Sequence, residues 1–218
     1  MLGQIYSRVL KVLMQKPLKL WGISWLSIFL TGVLSSLCGV AIPVLGISVG
    51  VLISVATALI YLRGLRGEEI AVLQLFELFK NRETIKRVLL GMGWMTLWIV
   101  LWALIPIVGP IFALIRVYEY RLVPYILVFN PEVPVTEALK VSKEKTMGYK
   151  LYMWLADFVY IIVVIVAMIL LVIFAAIPVI GFIFILAFLI LYFAFILALP
   201  ILPGLIQAAV YDELTKNM

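Results

Sequence analysis

The residues of this chain best equipped for chemistry are Arg116, Glu119, Tyr120 and Arg121, within Arg116-Val117-Tyr118-Glu119-Tyr120-Arg121, together with Asp157. They interrupt stretches that are otherwise apolar enough to cross a bilayer. Read as one helix, the run between Gly109-Pro110 and Phe129-Asn130-Pro131 covers about 30 Å, one hydrocarbon thickness. Glu119 then falls close to the midplane, where an ionised side chain costs at least ~2.5–3.5 kcal/mol. Arg116 and Glu119 are i, i+3 on one helix face and can pair, and Tyr120, i+4 from Arg116, can add a hydroxyl. Pro124 removes the helical donor of the Tyr120 carbonyl. Arg121 points elsewhere and is expected to meet Asp157 on the next span. Two chemistries fit such a cluster. The charges either staple a helix bundle, or they form an asymmetric site for a substrate, ion or lipid headgroup.

Other chemistry finds little support. The chain has no histidine, which removes the commonest general base and metal ligand, and its one cysteine, Cys38, excludes an internal disulfide. No nucleotide loop, metal-ligand spacing, nucleophile–base pair or redox dithiol occurs, so we expect no enzyme, no cofactor and no metal. The net charge of +6 follows membrane topology rather than a nucleic-acid footprint, and no nucleic-acid partner is expected.

The elements that position these residues follow from apolarity. The 218 residues are 66% hydrophobic and 13% charged, against roughly half and a quarter in soluble domains. The expected fold is all-α: a single polytopic bundle over 1–218 with six spans near 20–38, 44–62, 88–105, 110–129, 155–177 and 179–199. The spans pair as three hairpins through Ile42-Pro43-Val44-Leu45-Gly46, Ile105-Pro106-Ile107-Val108-Gly109 and Ile177-Pro178-Val179-Ile180-Gly181. Proline breaks the helix and glycine supplies a permissive backbone for reversal. Three such Ile-Pro-x-x-Gly turns suggest a three-fold internal repeat. The charge is not repeated, because Ile53 and Phe188 stand where Arg116 does, and Ala56 and Leu191 where Glu119 does.

Orientation follows from Lys and Arg. The turns carry no charge, whereas the N-terminus, 63–87 and 130–154 are basic, which places both termini and both segments in the cytoplasm of a cell with this protein in its cytoplasmic membrane. Residues 20–38 reach spanning length and read as a retained helix rather than a cleaved signal. Residues 1–19 read as an amphipathic helix in the headgroup plane, with Arg8 and Lys11 on its polar arc. It is either a plain anchor or a sensor of anionic lipids, which Lys140 and Lys143 can also reach. The stretch from about Ile70 to Lys80 reads as a second interfacial helix, Pro134 to Gly148 frames a polar one, and 205–218 reads as a cytoplasmic tail. A row of small residues, Gly46, Gly50, Ser54 and Ala58, fits either packing within the bundle or a seam for a homo-oligomer or another membrane protein.

Several stretches also resemble a known family. They are Leu65-Arg66-Gly67-Glu68-Glu69 with Leu75-Phe76 and Phe79-Lys80; Pro124-Tyr125-Ile126-Leu127 with Asn130-Pro131; Glu137-Ala138-Leu139-Lys140-x-Ser142-Lys143 with Gly148-Tyr149-Lys150; and Ala209-x-Tyr211-x-x-Leu214. On these the chain resembles the bacterial six-helix integral membrane proteins grouped as domain of unknown function nine-seven-five. The family is usually cationic at the position of Arg116, whereas Glu119, Asp157 and Phe129 depart from its pattern. The resemblance implies fold and location but no activity. The expected function is that of a non-catalytic accessory or assembly factor acting through membrane partners or lipids. The alternative is a small transporter or flippase-type protein using the polar site around Arg116 and Glu119.

Overall fold

The computed structural model describes residues 2–41, 43–175 and 201–215, with Leu186, Leu189, Ile190 and Phe193 besides. The expected sixth span 179–199, the third turn and the side chain of Cys38 lie outside the described residues, so the three-fold repeat has no structural reading here. Helices α1 (Leu2–Gln15), α2 (Pro17–Ala41) and α3 (Pro43–Leu65) lead to a 3-10 helix, Val72–Lys80. Then follow α4 (Arg82–Ala103), α5 (Gly109–Glu119), α6 (Val123–Phe129), α7 (Ala138–Thr146), α8 (Lys150–Ala175) and α9 (Leu202–Thr215). No strand occurs among the described residues. Three windows, Pro17–Leu34, Leu45–Leu65 and Arg82–Ala103, are long and apolar enough to cross a bilayer, so this is an all-helical membrane protein.

Local chemistry explains the boundaries. Asn81 caps α4, its side-chain oxygen accepting from Glu83 N at 3.0 Å and Thr84 N at 3.3 Å. Opposite it, Arg87 closes the C-terminal end of α6. Its guanidinium donates to Leu127 O and Asn130 O, each at 2.8 Å, and to Val133 O. A cation there meets the unsatisfied carbonyls and the negative end of the helix dipole. The 3-10 helix places Val72, Leu75 and Leu78 in register, and Leu75 and Leu78 are buried, while Leu73 and Phe76 stay exposed.

The turn after α4 reverses the chain for a reason other than the one its sequence suggests. Ile107, not glycine, takes the left-handed conformation, at φ 68° and 94% exposed. That is a strained choice for a β-branched residue. Gly109 begins α5 instead, where a Cβ would stand 2.5 Å from Trp102 O and 3.0 Å from Ala103 O. Its missing side chain lets the two helix ends close on each other.

Two further expectations change. The run 110–129 is not one helix, since α5 stops at Glu119 and α6 starts at Val123. The tail is not peripheral: α9 buries Leu205, Ile206, Ala208, Ala209, Val210, Tyr211 and Asp212 against α3, α1 and α8. Gly204 makes this approach feasible, because any Cβ there would overlap the Tyr61 ring. α1 lies over α9, burying Ile5, Val9 and Val12 against protein while Leu10 and Met14 face outward. Its apolar face is therefore divided between the bundle and its surroundings rather than laid wholly in lipid.

Candidate functional site

The helix break between α5 and α6 separates the predicted polar residues into two clusters. Pro124 has no N–H to give the Tyr120 carbonyl, which accepts from Val123 N at 3.1 Å in a tightened turn instead. The groups freed by the break are met from α7. Ser142 Oγ donates to Glu119 O at 2.7 Å and accepts from Leu122 N at 3.2 Å, and Thr146 Oγ1 donates to Glu119 O at 3.3 Å. Ser142 and Thr146 are fully buried. The polar helix α7 thus acts as a splice across the interrupted span.

The first cluster is closed. Glu119 is 3% exposed, and each of its carboxylate oxygens holds a cation: Arg116 on one side, Lys150 on the other. Arg116 is also seated over the Trp102 ring, 4.8 Å from its centroid. A cation–π contact and an ion pair together fix the guanidinium on two sides. The predicted Arg116–Glu119 pairing is present. In the sequence Lys150 stands in the basic segment 130–154 and closes the Gly148-Tyr149-Lys150 stretch, and nothing local connects it to a residue 31 positions earlier.

The second cluster borders open space. Arg121 and Asp157 form a two-pronged pair at 2.5 and 2.7 Å, joining the α5–α6 break to α8. Arg121 lies 5.6 Å from the Tyr118 ring centroid, and its carbonyl accepts from Gln207 Nε2 at 3.0 Å. These groups edge a cavity of about 410 Å3 whose remaining wall includes Met92, Met95, Ile99, Leu114 and Val117. Tyr120, expected to hydrogen-bond in the Arg116 cluster, lines this cavity instead. Of the row of small residues, Gly46 is buried and Gly50 half-buried, whereas Ser54 and Ala58 face the cavity.

A third cluster was not anticipated. Asp212 on α9, 4% exposed, is paired with Arg8 of α1 and with Arg66 at 3.0 Å, and Glu213 adds a contact to Arg8 at 3.3 Å. Arg8 is thereby engaged with two carboxylates of α9, while Lys11 and Lys140 remain exposed and Lys143 is half-exposed. Beside it Tyr211 stacks on Tyr125 at 4.3 Å, and burial raises the Tyr211 hydroxyl above its ordinary value. In the loop after α6, Glu132 is held below the usual carboxylate value by its own backbone N–H and by the Asn130 amide. Among the described residues, no three His, Cys, Asp or Glu side chains converge in a way that could hold a metal ion.

No protein-family model, no curated protein and no solved structure matches the chain.

Proposed function

We propose that this is a six-span protein of the cytoplasmic membrane, with both termini inside, working as a non-catalytic accessory or assembly factor through membrane partners or lipids. Membership of the six-helix family that the Glu137–Lys150 stretch resembles belongs to the same proposal. Three long apolar helices support the membrane placement, and α8, at 26 residues and about 39 Å, has the length for another crossing. The uneven distribution of Lys and Arg supports the orientation.

One observation carries the non-catalytic reading: the most buried charge of the described spans, Glu119, has both oxygens occupied by cations of the same chain. A carboxylate so buried, with a cation of the same chain on each oxygen, joins α5 to α8 and is shielded from any further cation by the two it already holds. The cavity beside Arg121–Asp157 favours the second reading, a small transporter or flippase-type protein. Purified protein in sealed liposomes is expected to move no ion, peptide or lipid. Saturable transport that disappears in Arg121→Gln would replace the accessory reading with the transporter. For the partner, a photo-crosslinking residue at the exposed Leu97 of α4 is expected to trap one discrete membrane protein in native membranes. Adducts with lipid alone would remove the protein-partner half of the proposal.

A further inference from the structure

We infer that the cavity between α3, α4, α5, α8 and α9 holds an uncharged, single-chain amphiphile: one acyl chain with a hydroxyl-bearing head, drawn from the surrounding bilayer. The inference rests on the membrane reading above and names the lipid class that this part of the molecule is built to take.

The walls define the tail. Met92, Met95 and Ile99 from α4 face Leu114 and Val117 from α5. Thioether and aliphatic side chains adapt to a flexible hydrocarbon. At about 410 Å3 the space is near the small end of the ~300–1,000 Å3 typical of ligand sites. It accommodates one chain with a compact head, and not a two-chain phospholipid.

The polar end defines the head. A guanidinium carries five N–H donors, and Asp157 accepts one from each terminal nitrogen of Arg121, leaving three. The Asp157 carboxylate keeps unused lone pairs, and Gln207, whose amide nitrogen is given to Arg121 O, keeps its side-chain oxygen as an acceptor. Donors and acceptors are therefore both on offer around a pair whose charges cancel. An anionic head finds the charge of Arg121 already neutralised by Asp157, and a cationic head finds that of Asp157 neutralised by Arg121. A hydroxyl both donates and accepts, so it can use both sides of the pair without opening it.

The test uses full-length protein and a photoactivatable monopalmitoylglycerol carrying its reactive group in the acyl chain. Recovery from carbonate-washed membranes is checked first, and protein released as soluble chain would overturn both the membrane reading and this inference. With membrane-retained protein, saturable labelling is expected within Met92–Ile99 and Leu114–Tyr118. Monoolein should compete about tenfold better than oleate or oleylamine. Labelling elsewhere, or equal competition by all three, would overturn the inference and leave the membrane reading standing. Ser54→Phe fills the cavity and should abolish labelling in protein that still melts cooperatively; Met95→Trp serves if that variant does not fold. Persistent labelling in a folded, filled variant also counts against the site. Asp157→Asn leaves Arg121 with an uncompensated charge, so the preference should invert toward oleate. The double variant Arg121→Gln with Asp157→Asn should restore it. An unchanged preference in Asp157→Asn would refute the assignment of the head.

Discussion

The carboxylates of Glu119 and Asp157 each meet an arginine from the same six-residue stretch, yet their surroundings differ. Glu119 is 3% exposed, bound by Arg116 and Lys150, with its backbone carbonyl taken by Ser142 and Thr146. The Asp157 side chain is 25% exposed, bound by Arg121 and no other of the described residues, and borders the cavity. Their positions on the turn create the difference: Glu119 is met from α7 and α8, Arg121 from α8 and α9. A sequence cluster that looks like one polar insertion is thus two sites: one closes the chain on itself, and the other remains available.

The largest effect should come from breaking the closed site. Glu119→Gln preserves shape but leaves Arg116 and Lys150 without a counter-charge, and removing one member of a buried pair costs on the order of 3 kcal/mol. We expect a loss of about that size in detergent-solubilised protein, read from the unfolding midpoint in denaturant. A loss of less than about 1 kcal/mol, the size of an exposed pair, would erase the contrast between the two sites.

Asp212→Asn should follow. Its carboxylate is nearly as buried as Glu119, at 6% against 4% side-chain exposure, and its partners Arg8 and Arg66 are slightly more open to water, at 25% and 41% against 20% and 37% for Arg116 and Lys150. We expect about 2 kcal/mol, and faster proteolysis at both chain ends, since the pair clamps α1 to α9. Unchanged proteolysis would mean that apolar packing alone holds α9 in place. Asp157→Asn should cost less again, about 1 kcal/mol, because the amide oxygen still accepts from Arg121 and the site is open to other groups. A cost equal to that of Glu119→Gln would show that the cavity is no more permissive than the closed site.

Helical, membrane-spanning character is written in runs of apolar residues, and the i, i+3 relation of Arg116 to Glu119 is local, so both were legible. The partners of Lys150, Ser142, Arg87 and Asp212 lie tens to hundreds of positions away, and no periodicity marks them. Pro124 did carry a signal: its missing N–H was noted as the loss of one bond. The break it produces depends on Ser142 and Thr146 being present to cap the freed groups. Close packing also falls on glycines outside the expected row. A tight approach is shown at Gly91 against Leu127, where a Cβ would stand 2.5 Å from a methyl, and at Gly204 under Tyr61. Gly91 has no small residue four positions away and Gly204 has Ala208, but each receives a side chain rather than a helix backbone.

The smallest effect belongs to a carboxylate outside both sites, which sharpens the comparison by serving as its solvated reference. Glu132 lies in the loop after α6, accepts from Asn130 Nδ2 at 3.1 Å, and is lowered from the ordinary 4.5 chiefly by its own backbone N–H. A group that binds its proton more weakly in the folded chain adds stability above its unfolded value. That contribution is lost as pH falls through the lowered one. The difference in unfolding midpoint between the natural chain and Glu132→Gln should therefore be constant from neutral pH down to the ordinary carboxylate value, then shrink below it. A difference that grows on acidification would reverse the sign of this contribution. A shift in Glu132→Gln as large as that in Glu119→Gln would break the comparison itself, since the ranking of these carboxylates would no longer follow their removal from water.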